Sequence, residues 1–205
     1  MTSDVQVVLL DLGGVLLNLH DPHRTFGLDM HDVDFMETWL LSPSVRRFER
    51  GDTDASQFAS DIVEEFALTY TPAEFLRRFE SWPDAVNKGV PELLDAIGHR
   101  HRVALLSNTN EVHWNRADIA GQLAPLLNHV FLSFQTKHTK PDLAAFKDVL
   151  QHFGVDADKI MFFDDSPLNI DAARGCGMQA LLTRGFDSLT RNLSRAGITA
   201  TLTRK

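Results

Sequence analysis

The chain has 205 residues, of which 43% are hydrophobic and 23% charged, and its formal net charge is −8. Those values fit a soluble globular protein with one domain, or one core domain carrying a small insert. The acidic balance argues against nucleic acid as the main partner, because phosphate backbones call for clustered Lys and Arg; a small phosphate ligand stays open, since local positive charge, backbone N–H groups or a metal ion suffice for it.

The single cysteine, Cys176 in RGCGM, rules out an internal disulfide and favours the cytoplasm; it reads as a packed thiol after a helix. The first residues, MTSDVQ, lack the basic segment of a secretory leader, and no apolar run approaches the roughly 20 residues of a membrane span. A monomer or homodimer is expected.

In chain order, residues 5–10 are a short Val-rich apolar run, the pattern of a buried strand. Residues 20–88 then show no such run. Phe58, Ile62 and Phe66 are spaced i, i+4, i+8, Phe75, Phe79 and Trp82 follow i, i+4, i+7, and Pro43, Gly51 and Pro72 punctuate the segment, which predicts a small all-α insert. Val90, Leu93, Leu94 and Ile97 make one helical stripe and Leu143, Phe146, Leu150 and Phe153 another, interleaved with strand-like runs at 103–106, 130–132, 160–163 and 180–182. Strand and helix alternating at this spacing predict an α/β fold, a Rossmann-like doubly wound parallel sheet with helices on both faces. The expected core is 1–19 with 89–205, and the expected helical insert 20–88.

Open parallel sheets bind ligands beyond the carboxyl ends of their strands. Asp11 follows the first run, Ser107-Asn108-Thr109 the second, Lys140-Pro141 comes past the third, and Asp164-Asp165 end the fourth. Singly, each is an ordinary turn or helix cap. Together, in this order on four strand ends, they are hard to read that way.

Asp11 in DLGGVLL, Ser107 in LLSNTN, Lys140 in TKPD and Asp164-Asp165 in FFDDSPLNIDAA resemble the four motifs of the haloacid dehalogenase-like (HAD) hydrolases, over about residues 5 to 183. The insert resembles the family's C1-type helical cap, and the nearest likeness within the family is to bacterial sugar-phosphate phosphatases of the α-D-glucose-1-phosphate phosphatase kind. The resemblance implies that Asp11 is the nucleophile of a phosphatase working through an aspartyl-phosphate. It implies that Ser107 and the backbone of Asn108 hold the phosphoryl group and that Lys140 offsets its charge. Mg²⁺ would be held by Asp11, the Gly13 carbonyl, Asp164 and Asp165. Asn169, one turn past Asp165, is placed to hydrogen-bond the acids.

Many members of the family carry a second Asp two residues past the nucleophile to protonate the leaving group, and here Gly13 stands there. A leaving group that needs little help, such as the hemiacetal oxygen of a sugar 1-phosphate, accommodates the change; so does a substitute acid, with His20 and Asp21 near the insert junction. A 2-haloacid dehalogenase also tolerates it, because halide leaves without a proton, although the Asp164-Asp165 pair argues against that chemistry. A HAD-fold binding or regulatory protein is the remaining alternative. Arg47 or Glu49 of the RRFERGD stretch either reads the non-phosphate part of a small metabolite or belongs to a solvated helix end, Lys137 reads as solvated, and His99 and His101 as exposed at the other end of the sheet.

Overall fold

The computed structural model describes residues 4–27 and 32–198. Five parallel strands, β1 Val7–Leu10, β4 Arg102–Ser107, β5 His129–Leu132, β6 Ile160–Asp164 and β7 Gln179–Leu182, make the main sheet in the order β5-β4-β1-β6-β7, with β2 (Leu17–Leu19) and β3 (Pro83–Val86) set apart in a small ribbon. β1 lies in the centre because its four residues are apolar and bury both faces of the strand. Val8 and Leu10 enter one core with Val90, Leu94 and Leu189; Val7 and Leu9 enter the other with Phe146, Val149 and Ala173. Helices Val90–Gly98 and Phe186–Arg195 cover the first face, and Leu143–Phe153 and Pro167–Gly175 the second.

The stripe expected on Leu143–Phe153 is shifted. Ala145, Phe146 and Val149 are buried, Leu150 and Phe153 are partly packed, and Leu143, at the first position of the helix, is 50% exposed.

Between Pro22 and Glu80 the chain forms a helical cap with its own core. Its helices start on side-chain caps that accept backbone N–H bonds: Ser42 from Val45, Asp54 from Gln57, Thr71 from Glu74. Prolines follow Ser42 and Thr71 directly, where a missing N–H costs nothing. The cap core is largely aromatic: Trp39 and Trp82 pack edge to face with ring centroids 5.0 Å apart, and Phe48 stacks on Phe58 at 4.2 Å. One strand, β3 (Pro83–Val86), lies where the sequence pattern shows none; it pairs antiparallel with β2 (Leu17–Leu19) and joins cap to core. Its sequence, PDAV, has no apolar run because its two middle residues face solvent.

Candidate active site

Three strands end at one place. Leu10 lies opposite Leu105 on one side and Phe163 on the other, so Asp11, Ser107 and Asp164 emerge together at the carboxyl edge. The chain order reverses between β1 and β6, the crevice where ligands bind in open α/β sheets. The Asp11 N–H donates to Phe163 O at 2.9 Å, which carries the ladder one residue past the strand and fixes the carboxylate's root.

Lys140 bridges two acids, its Nζ standing 2.6 Å from Asp11 Oδ1 and 2.7 Å from Asp164 Oδ2. All three groups are buried. Such a triad is costly in low dielectric unless its members are also hydrogen-bonded, and Asp164 is. It accepts from the Ser166 N–H at 2.8 Å and from Asn169 Nδ2 at 3.0 and 3.1 Å. Burial works against the Lys140 charge, but Asp11 and Asp164 prevail and hold its pKa above the ordinary value. Asp11 goes the other way. Burial, opposed by Lys140 and reinforced by the charges of Asp164 and Asp165, raises it to about 7.

Lys140 reaches this position through Asn108. The Asn108 side chain donates to Lys140 O at 2.9 Å and accepts from Lys140 N at 2.8 Å, so it clamps the lysine's backbone. Ser107 is buried beside it. Sequence reasoning missed Ser133, whose hydroxyl accepts from Thr109 N and donates to Thr109 O, both at 3.0 Å, and so locks the loop after β4 to the end of β5. A serine 24 residues away in sequence carries no motif signal.

Asp11, Asp164 and Asp165 place one oxygen each within 4.8 Å of one another. Asp165 is also held above the ordinary carboxylate range, by burial and then by Asp164. Three crowded carboxylates offering hard oxygens, two of them strained against ionisation, suit Mg²⁺. The Gly13 carbonyl belongs to the same turn. Gly14 makes room for the cluster: its φ is +69°, and a Cβ there would lie 2.2 Å from Asp165 Oδ2. Gly14→Ala is therefore expected to push Asp165 aside and weaken Mg²⁺ binding at least tenfold with the fold intact, read by calorimetric titration of the metal.

Several sequence expectations change. Lys137 is not simply solvated; it has a left-handed φ of 66° and its Nζ donates to Gly51 O of the cap at 2.5 Å. His20 faces Asp84 at 3.9 Å, and Asp21 caps the helix Pro22–Phe26 by accepting from His23 N and Arg24 N. Arg47 is paired with Asp61 inside the cap. His101 bonds Val5 O at the amino end of the sheet, and His99 is exposed near Asp95. Cys176 packs on the second core. A cleft of about 440 Å³ opens beside Phe48, Gly51 and Phe134, but neither Asp11 nor Lys140 lines it, so it is not the phosphate site.

His113 ties the cap to the loop after β4. Asn110 Nδ2 donates to its Nδ1 at 3.2 Å, so Nε2 carries the proton and donates to Phe79 O at 2.8 Å. Burial drives its pKa down to about 4. The unfolded chain takes up a proton below about 6.5 that the folded chain refuses, so this residue's contribution is present above that pH and is lost as pH falls toward 4. The loss reaches about 3 kcal/mol. Urea unfolding at pH 7.5 and 4.5 is expected to show a steeper loss in wild type than in His113→Gln.

A doubly wound parallel sheet with a capped carboxyl edge, a lysine between two carboxylates and a third acid beside them defines an enzyme of the Rossmann-like class with an acidic, metal-competent site. The family model for haloacid dehalogenase-like hydrolases matches residues 5–177, and the chain belongs to that family. It is 32% identical over 154 residues to flavin mononucleotide hydrolase 1 of Arabidopsis thaliana, covering 74% of this chain and 61% of the relative. It is 25% identical over 209 residues to phosphatase MT3486 of Mycobacterium tuberculosis (strain CDC 1551 / Oshkosh), covering 94% and 95%. Some curated relatives are longer: of another, 25% identical, the chain spans only 36%. Among solved structures, the HAD family enzyme BT-2542 of Bacteroides thetaiotaomicron, in complex with magnesium and inorganic phosphate, superposes with a TM-score of 0.72 at 25% identity, covering 88% of this chain and 94% of that one. No helix among the described residues is long and apolar enough to cross a membrane.

Proposed function

We propose that this chain is a Mg²⁺-dependent phosphomonoester hydrolase acting on a small phosphorylated metabolite, a sugar phosphate such as a hexose 1-phosphate. The observation that carries the reading is the Asp11–Lys140–Asp164 bridge with Asp165 beside it. Lys140 engages only Oδ1 of Asp11, and Oδ2 accepts no hydrogen bond among the described residues. That oxygen is the one available to attack phosphorus and form the aspartyl-phosphate, which splits one difficult displacement into two. Lys140 offsets the charge that gathers on the phosphoryl oxygens, and its two carboxylate bonds fix it there before substrate arrives. Ser107 and the Asn108 N–H, at the adjoining strand end, orient the same oxygens. Asp11, the Gly13 carbonyl, Asp164 and Asp165 would hold Mg²⁺, which when bound would supply charge neutralisation for the phosphoryl group. The cap lies over the carboxyl edge and excludes bulk water.

Two relatives are named for hydrolysis of a phosphate ester or as a phosphatase, and a solved structure similar to this chain holds magnesium and phosphate, which supports the reading. The sugar 1-phosphate rests on Gly13, since an anomeric oxygen leaves more easily than an ordinary alkoxide. Phosphate release from hexose 1-phosphates, hexose 6-phosphates and p-nitrophenyl phosphate, with Mg²⁺ and with chelator, tests both parts. Metal-dependent release with 1-phosphates preferred is expected. Equal rates on both hexose phosphates sink the substrate, and no release from any ester sinks the phosphatase.

A further inference from the structure

Gly13 carries no proton, so an anomeric oxygen leaves without help from position 13, and an ordinary alkoxide needs its proton from elsewhere. Lys140 is held charged between two carboxylates. Asp164 accepts hydrogen bonds on both oxygens and belongs with Asp165 to the metal cluster, His20 faces Asp84, and Asp21 caps the helix Pro22–Phe26. One further acid acts on the site, and it comes from the cap.

Glu49 is the last residue of the helix Pro43–Glu49, which packs against the turn Ser133–Thr136 after β5. It is clamped on both sides. Phe48 before it is buried in the cap core. Gly51 after it crosses the core turn so closely, at φ +64°, that a Cβ would lie 2.4 Å from Phe134 O, and the Lys137 ammonium closes on Gly51 O. A helix end gripped this way has little freedom to turn its carboxylate. The charges that act on Glu49 are Lys140 and Asp11 across the seam and Arg46 one turn back on its own helix. Yet Glu49 is half-buried and its side chain has neither a hydrogen bond nor an ion pair among the described residues. A carboxylate within electrostatic reach of Asp11 and Lys140, rigidly carried and left without a hydrogen-bond partner among the described residues, is costly for a cap unless a substrate supplies the partner.

We propose that Glu49 is the general acid and base of the reaction, supplying from the cap the proton transfer that position 13 lacks. This rests on the phosphatase reading of Asp11. In the first step Asp11 Oδ2 bonds to phosphorus, the bond from phosphorus to the leaving oxygen breaks, and the Glu49 carboxyl proton passes to that oxygen, giving the free alcohol. In the second, water attacks the phosphorus of the aspartyl-phosphate while Glu49 takes the water's proton. The bond to Asp11 breaks, phosphate leaves, and both carboxyl groups return to their starting states. Burial, only partly offset by Lys140 and Arg46, raises the Glu49 carboxyl to about 7, so both protonation states are accessible near neutral pH. Because the acid sits on the cap, chemistry would await cap docking.

The test is Glu49→Gln, which keeps the shape, assayed with Mg²⁺ on phosphate monoesters whose leaving alcohols span a wide pKa range. Turnover of an alkyl phosphate is expected to fall by about 10²–10⁴. With p-nitrophenyl phosphate, whose leaving group needs no proton, the variant is expected to release one nitrophenol per enzyme in a burst and then stall as the aspartyl-phosphate. A Cβ at residue 13 meets nothing within 4 Å, so Gly13→Asp added to Glu49→Gln is expected to restore turnover. Equal losses on all esters without a burst, or no loss, overturn the proposal and leave the phosphatase standing; a wild-type protein inactive on every ester sinks both. Wild type itself must show a shallower dependence of kcat/KM on leaving-group pKa than Glu49→Gln, and equal slopes overturn the proposal.

Discussion

Asp11→Asn is expected to lower Mg²⁺-dependent phosphate release by about 10⁴-fold or more, roughly 5 kcal/mol in the barrier. The carboxamide fills the same volume, so the neighbouring strands keep their register. What disappears is the oxygen that bonds to phosphorus, and no other described carboxylate can take its place. Asp164 is buried and fully hydrogen-bonded, and Asp165 is held against Gly14. Stability is expected to move the other way. Burial makes the charged form of Asp11 costly between its unfolded value near 3.8 and its folded value of about 7, so stability on this account falls as pH rises through that window. At pH 8 without divalent metal, Asp11→Asn is expected to melt no lower than wild type. Thermal melts beside phosphate-release assays check both halves. A variant that keeps a tenth of the activity removes Asp11 from the nucleophile's role.

Lys140→Met is expected to be the most damaging single change to the fold of the site. Among the described residues the amine is the one cation bonded to both Asp11 and Asp164, and methionine of similar length leaves two buried carboxylates facing each other. Breaking a buried ionic cluster by removing one partner costs about 3–5 kcal/mol. The loss is expected to be largest at pH 8, where both acids must ionise, and to shrink toward pH 5 as they take up protons. Mg²⁺ is expected to recover part of it by replacing the missing positive charge. Activity falls as well, by roughly 10²–10³ for the loss of one preorganised charge opposite the phosphoryl group. Urea unfolding at the two pH values, with and without Mg²⁺, separates the electrostatic effect from simple loss of packing, which no pH or metal would repair. Lys140→Arg is no rescue, because a planar guanidinium does not fit a site shaped for a point charge with three donors.

The two variants divide the site between chemistry and support. Asp11 contributes to turnover at the expense of stability, whereas Lys140 serves both. The hydrogen bonds around them explain why the arrangement is tolerated. Asp164 has its lone pairs satisfied by Ser166 and Asn169, and the Lys140 backbone is held by Asn108, so the costly charges do not need to move to be accommodated.

Much of this was legible in the sequence because it depends on short-range order. The apolar run ending at Leu10 specifies a strand buried on both faces, and Asp11 must then emerge at its carboxyl end. The same logic applies to Ser107 and Asp164, since parallel register depends on which residues are apolar. The cap's helices were readable from their aromatic spacing and from Pro43, Gly51 and Pro72 between them, whereas the Ser42, Asp54 and Thr71 caps show only in the structure. The ribbon strand Pro83–Val86 was not, because its ladder partner, rather than its own composition, makes it a strand. Asn108 as the clamp of Lys140, Ser133 as the lock of Thr109 and His113 as the cap tether each join residues 24 to 34 positions apart, and no local pattern records such a bond. Glu49 shows the division most plainly. Its sequence marks it as a charged residue at a helix end, which is usually solvated. The docking of Gly51 on Phe134 is what holds that end within electrostatic reach of Asp11 and Lys140, and burial is what pushes its carboxyl up to about 7. Periodicity and strand-end chemistry are properties of the chain; the distance between two carboxylates, and therefore their charge, is a property of the fold.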